Sequence, residues 1–126
     1  MPMIRGIERK CLEMIKQSAK DMHPREFLAL LSTGNRKDVI SELVLIPRMM
    51  YGKRQATFNI YMVPFDRRIV GTVHSHPSGI PKPSEGDMHT FMKYGKVHII
   101  IGYPYEDDSW RAYDYNGKEI DIEVIE

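Results

Sequence analysis

Two histidines one residue apart, His74 and His76, open the stretch "HSHPSGIPKPSEGD", which closes on Asp87. In an extended strand, residues i and i+2 point to the same face. If the strand continues this far, both imidazoles face one side, close enough to share an ion. Asp87 would arrive from the first turn of a following helix. Two neutral imidazoles and one carboxylate form a three-ligand set suited to zinc, with a fourth position left for water. An open position marks a catalytic site rather than a structural one, and the thiolates of a closed structural site are absent. The loop between the ligands carries Pro77, Pro81 and Pro83, which restrict its backbone, and Gly79, which allows a tight bend. A loop stiffened in advance lowers the entropy cost of holding Asp87 against an ion.

A metal alone does not hydrolyse an amide. Zinc lowers the pKa of bound water towards ~7, but a group must also take the proton and return it to the leaving amine. Glu26, in "HPREFLALL", is the leading candidate, because a carboxylate that begins an apolar strand suits a site at that strand's end. Glu8, Glu13, Glu42 and Glu85 compete on composition alone. An oxyanion stabiliser is also required. Ser84, three residues before Asp87, could donate its hydroxyl. Ser84 and Asp87 also form an ordinary S-x-x-D capping pattern. Capping and catalysis are compatible, since a cap would fix the helix end that presents Asp87. Each of these residues alone has a structural reading; their coincidence at fixed spacing points to a metal site.

The elements that would position these groups read as follows. Ile4, Ile7, Cys11, Met14, Ile15 and Met22 recur at helical intervals, predicting an amphipathic first helix that ends before Pro24. "EFLALLS" and "DVISELVLIP" read as a strand hairpin, "ATFNIYMVP" as a third strand and "RRIVGTVHSH" as a fourth, running into the histidines. "SEGDMHTFMKYG" predicts a short helix capped by Ser84, with Met88, Phe91 and Met92 as its apolar face. "KVHIIIGY" reads as a central strand. "SWRAYDY" and "KEIDIEVI", joined by Asn116-Gly117, predict a hairpin on a type I′ turn. The order implies an α+β (mixed α/β) domain over residues 1–126, a sheet of about six strands with helices packed on it.

The 126 residues suit one domain, and the formal net charge of +1 gives no footprint for nucleic acid. The single cysteine, Cys11, excludes an internal disulfide and reads as buried helix packing. No apolar run approaches membrane-spanning length, and "MPMIRGIERK" lacks a signal peptide's apolar core, so a cytoplasmic protein is expected. His98 reads as structural, His23 as a helix-end residue meeting the helix dipole, and His89 as exposed. The aromatic-rich end, with Trp110, Tyr103, Tyr105, Tyr113 and Tyr115, reads as core or sheet-face packing.

H-x-H, seven residues, S, two residues, D resembles the signature of the JAMM (MPN+) metalloproteases, present here without a gap as His74, His76, Ser84 and Asp87. The segment order resembles an MPN domain, which implies a curved sheet with an N-terminal helix and a short helix after the metal loop. The resemblance implies one Zn2+ per chain held by His74, His76 and Asp87. It implies Glu26 as general base and then acid, and Ser84 as the oxyanion donor. It further implies an isopeptidase that cuts after the C-terminal Gly-Gly of a ubiquitin-like β-grasp protein, similar to the minimal archaeal desampylases. Little room follows Asp87 for a second insertion, so relaxed linkage preference is expected. Met49, Met50 and Tyr51 fall where the family builds part of its tail groove. Processing of a sulfur-carrier adduct and a non-catalytic MPN scaffold are the competing readings. "HPSG" also resembles the RadC motif, but the preceding helix-hairpin-helix region of those proteins is missing.

Overall fold

Leu28–Thr33 and Val97–Gly102 are buried at every residue, as near-continuous apolar strands must be when both faces of a sheet are covered. They flank the histidine strand. The computed structural model describes residues 3–45, 66–90 and 94–126, the side chains of residues 89 and 90 excepted. Along them run β1 (Gly6–Glu8), α1 (Arg9–Met22), β2 (Leu28–Thr33), β3 (Val39–Leu45), β4 (Ile69–His76), α2 (Glu85–Thr90), β5 (Val97–Gly102), β6 (Trp110–Tyr113), β7 (Glu119–Ile120) and β8 (Glu123–Ile125). These strands form one eight-stranded sheet in the order β7-β6-β5-β4-β2-β3-β1-β8.

Strand alternation divides the side chains between two faces. On one face α1 buries Cys11, Leu12, Ile15 and Ala19 against Ala29, Leu31, Val73, Ile99 and Ile101. Leu28, His74 and Ile100 stand opposite one another across β2, β4 and β5 and project to the other face. There Met88 of α2 packs on Ile100 and Tyr113. The histidine ligands therefore share a face with α2, not with α1.

Residues 121 and 122 alone connect β7 to β8, yet these strands are the two ends of the sheet. At ~3.8 Å per residue, the two ends lie within about 11 Å of each other along the chain. The sheet is therefore strongly curled, as the resemblance implies.

Three sequence expectations need correction. The sheet has eight described strands rather than about six. The first helix begins at Arg9, because Arg5 donates its N–H to the Asp38 carbonyl at 2.8 Å, and its own carbonyl accepts from Glu123 N–H at 2.9 Å. Those bonds hold Gly6–Glu8 as a strand between β3 and β8. A side chain at residue 6 would meet Ile125 at 2.5 Å. The spacing of Ile4 and Ile7 fits helix and strand alike, so periodicity could not separate them. The Asn116-Gly117 turn is not type I′, since Asn116 lacks positive φ while Gly117 has φ +80°. Gly117 N–H bonds the Asp114 carbonyl, Asp114 N–H bonds the Lys118 carbonyl, and Asp114 Oδ1 accepts from Asn116 and Lys118 N–H. This is the three-residue hairpin with a left-handed glycine, selected by the Asp114 side chain. The proposed strand "ATFNIYMVP", the loop around Met49, Met50 and Tyr51, the Phe91 and Met92 face and the His89 side chain lie outside the described residues.

Candidate metal centre

β4 ends at the histidines because its backbone is captured there. The His76 carbonyl accepts N–H bonds from Gly79 at 3.0 Å and Tyr103 at 3.2 Å, which turns the chain over the end of β5. His76 stands opposite Gly102. A Cβ at residue 102 would sit 2.6 Å from the Gly79 carbonyl oxygen, so glycine is required where the loop crosses. Gly79 itself has φ +98°, a conformation open mainly to glycine. The loop is tied a second time by the buried Tyr113, whose hydroxyl donates to the Pro81 carbonyl at 2.5 Å.

Ser84 then begins α2. Its hydroxyl accepts the Asp87 N–H at 3.1 Å, and its own N–H donates to Asp87 Oδ2 at 2.9 Å. This reciprocal cap leaves the Ser84 O–H proton available to another acceptor. It also aims Asp87 Oδ2 at the imidazoles, 3.0 Å from His76 Nε2 and 3.2 Å from His74 Nε2. The two Nε2 atoms lie 3.1 Å apart. His74 is fully buried and Asp87 is 6% exposed.

The donor set fits a metal ion. His76 Nδ1 lies 2.7 Å from the Ile80 carbonyl oxygen; a carbonyl only accepts, so Nδ1 carries the proton. The neutral ring then turns the Nε2 lone pair on a carboxylate oxygen, which requires a cation between them. The three mutual distances approach the ~3.3 Å edge of a tetrahedron with bonds of ~2.0–2.1 Å. His74, His76 and Asp87 are grouped tightly enough to hold one ion. The carbonyl on Nδ1 fixes the ring and its tautomer, as partners of metal-bound histidines do. Burial disfavours the charged form of His76, but the Asp87 carboxylate and the Ile80 carbonyl outweigh it and leave its pKa raised. Burial likewise opposes ionisation of Asp87, but the two histidines and the Ser84 N–H hold it far below the usual carboxylate range.

Glu26 lies two residues before β2 and is half-buried. Pairing continues beyond the formal start of the strand, for Ser75 N–H bonds the Phe27 carbonyl at 2.9 Å. With Leu28 opposite His74 and Phe27 opposite Ser75, Glu26 falls opposite His76. Its charge is felt at the His76 ring. Strand register thus sets Glu26 opposite His76, and Ser84 meets Asp87 through its cap.

Sequence reasoning missed Gly102 and Tyr113, which shape and hold the loop. Neither carries a local signal, because each acts through a contact distant in sequence. His98 is structural as expected, its ring nitrogens 2.8 Å from Thr72 Oγ1 and 3.1 Å from the Gly95 carbonyl. His23 closes the C-terminal end of α1, as expected. Its ring stacks on Tyr103 and its Nδ1 meets the Tyr105 hydroxyl at 2.7 Å. The aromatic-rich end divides: Tyr105 and Tyr113 are buried, Tyr103 and Tyr115 exposed. Among the described residues, no helix is long and apolar enough to cross a membrane.

The family described as prokaryotic homologues of the JAB domain matches residues 8–113. A protein of Haloferax volcanii named "Probable metalloprotease" is 36% identical over 129 residues, covering 96% of this chain and 80% of its own length. A JAB1/MPN domain protein from Archaeoglobus fulgidus superposes with a TM-score of 0.77 at 40% identity, covering 96% of this chain and 99% of its own. A structure described as JAMM, a metalloprotease-like zinc site in the proteasome and signalosome, gives a TM-score of 0.76 at 40% identity over 98% of this chain and 99% of its own.

Proposed function

The chain belongs to the family of prokaryotic homologues of the JAB domain and is a zinc metalloprotease of the JAMM type; from that premise we propose that it is an isopeptidase. It would hydrolyse the bond after the C-terminal Gly-Gly of a ubiquitin-like modifier. The observation that carries this reading is the opposition of Glu26 and His76 across β2 and β4, beside the ligand triangle. His74, His76 and Asp87 would hold the ion. When bound, zinc supplies Lewis acidity and lowers the pKa of water towards ~7.

Glu26 takes the proton of the attacking water and returns it to the leaving amine. A lysine amine leaves poorly unless protonated, so this return is indispensable for an isopeptide. Ser84 donates its remaining O–H to the oxyanion of the tetrahedral intermediate. Its cap with Asp87 orients the hydroxyl before substrate arrives, the preorganisation that makes such a donor effective. An extended substrate tail would lie beside a strand edge, with main-chain hydrogen bonds providing affinity. The cytoplasmic setting expected from the sequence suits a conjugate-processing enzyme.

The test is cleavage of a lysine-linked conjugate ending in Gly-Gly, compared with an unrelated linear peptide and with a sulfur-carrier adduct. Chelator-sensitive cleavage of the isopeptide conjugate above the others is expected. Preference for the sulfur-carrier adduct would move the substrate class. Equal cleavage of all three would remove the Gly-Gly requirement.

A further inference from the structure

Ser75, between the two histidines, faces away from them. Period-2 alternation sends its side chain to the α1 face, where it is fully buried. Its hydroxyl oxygen accepts the Phe27 N–H at 2.7 Å. In a regular antiparallel pair that N–H would bond the opposite carbonyl. Here a side chain has taken that place, while the reciprocal bond from Ser75 N–H to the Phe27 carbonyl is kept at 2.9 Å.

The Phe27 N–H belongs to the same peptide plane as the Glu26 carbonyl. Fixing that plane fixes the backbone torsion that follows the Glu26 Cα. On the other side, Arg25 N–H closes a turn on the Met22 carbonyl at 2.8 Å. Glu26 is thus suspended between a closed turn and the Ser75 hydroxyl.

From this we infer that Ser75 is a positioning residue, setting the Glu26 carboxylate relative to the two histidines through the Glu26–Phe27 peptide. The inference rests on the reading of Glu26 as the proton carrier. Ser75 touches neither metal nor substrate; it couples the strand that supplies the ligands to the residue that supplies the base. The same tripeptide, His74-Ser75-His76, therefore builds both parts of the site, one on each face of β4.

Ser75→Ala, Ser75→Thr and Glu26→Gln, each loaded with zinc, test it. For Ser75→Ala, kcat should fall on the order of 10- to 100-fold, the penalty typical of an ångström-scale misplacement. KM and zinc content should stay at the wild-type level, and the Phe27 amide should exchange with solvent faster. Ser75→Thr, which keeps the hydroxyl, should restore both kcat and amide protection. Wild-type kcat in Ser75→Ala, where Glu26→Gln is inactive, would overturn the inference while leaving the base in place. Full turnover by Glu26→Gln would overturn the reading of the base, and the inference with it. Should Ser75→Ala fail to fold, Phe27 amide exchange in the wild-type protein decides. Protection equal to the core of β2 supports the tether, and exchange at an open-loop rate overturns it.

Discussion

His76 and Asp87 titrate against each other, and their pKa values move in opposite directions. His76 has a raised pKa, because the Asp87 carboxylate and the Ile80 carbonyl outweigh its burial. Its contribution to stability is complete below about 6.5 and fades as pH rises through the raised folded value. Asp87 is depressed, so its contribution is present above about 3.9 and fades as pH falls through the folded value. At mildly acidic pH a zinc ion would therefore have to displace a proton from this pair. The rise in Tm on adding zinc should be larger at pH 8 than at pH 5.5. An equal or larger rise at pH 5.5 would contradict the proton-for-metal exchange. Ser84 allows a second test, since its cap and its proposed oxyanion role make different demands. Removing the hydroxyl in Ser84→Ala should cost about 1 kcal/mol of stability as a lost cap and ~10²-fold in kcat as a lost oxyanion donor. A shifted Tm with unchanged turnover of the folded fraction would leave only the cap.

Elements deliver these residues through contacts far apart in sequence. The loop from His76 to Ser84 owes its path to Gly102 and Tyr113. In Gly102→Ala the added methyl would press on the Gly79 carbonyl at 2.6 Å. Such overpacking typically costs about 1–3 kcal/mol. Thermal unfolding should show that loss, and competition with a chelator should show weaker zinc retention, because the loop carries the carbonyl that orients His76. Unfolding and zinc retention equal to wild type would mean the loop can cross elsewhere. The ligands themselves were legible from spacing, since H-x-H in a strand and S-x-x-D at a helix start each encode local geometry. Glu26 was legible only as a strand beginning. Its place opposite His76 depends on pairing between β2 and β4, which no local pattern specifies. Ser75 carries no local signal for the same reason: its partner is 48 positions away. The Asn-Gly turn misled because Asp114, outside the dipeptide, selects its geometry.

Across the whole molecule, α1 and the curled sheet form a core that isolates Cys11. Burial, with smaller effects from Glu8 and Glu42, pushes its thiol up to about 12. A thiol reagent at pH 8 should therefore label Cys11 only as fast as the protein unfolds; immediate labelling of the native protein would contradict the packing. The broad class, the helix that packs on the sheet and the central place of β5 were all readable from apolar patterning. The strand count was not, because β1 and β8 are three-residue strands whose partners come from opposite ends of the chain. The curl brings those ends together, an outcome of topology rather than of any one segment. The account as a whole stands on Glu26 acting beside a zinc held by His74, His76 and Asp87. The most direct test is the turnover of Glu26→Gln on a lysine-linked Gly-Gly conjugate, with its zinc content measured in the same preparation. One zinc per chain with turnover lost is the predicted result. Full turnover in a zinc-loaded Glu26→Gln protein would contradict it.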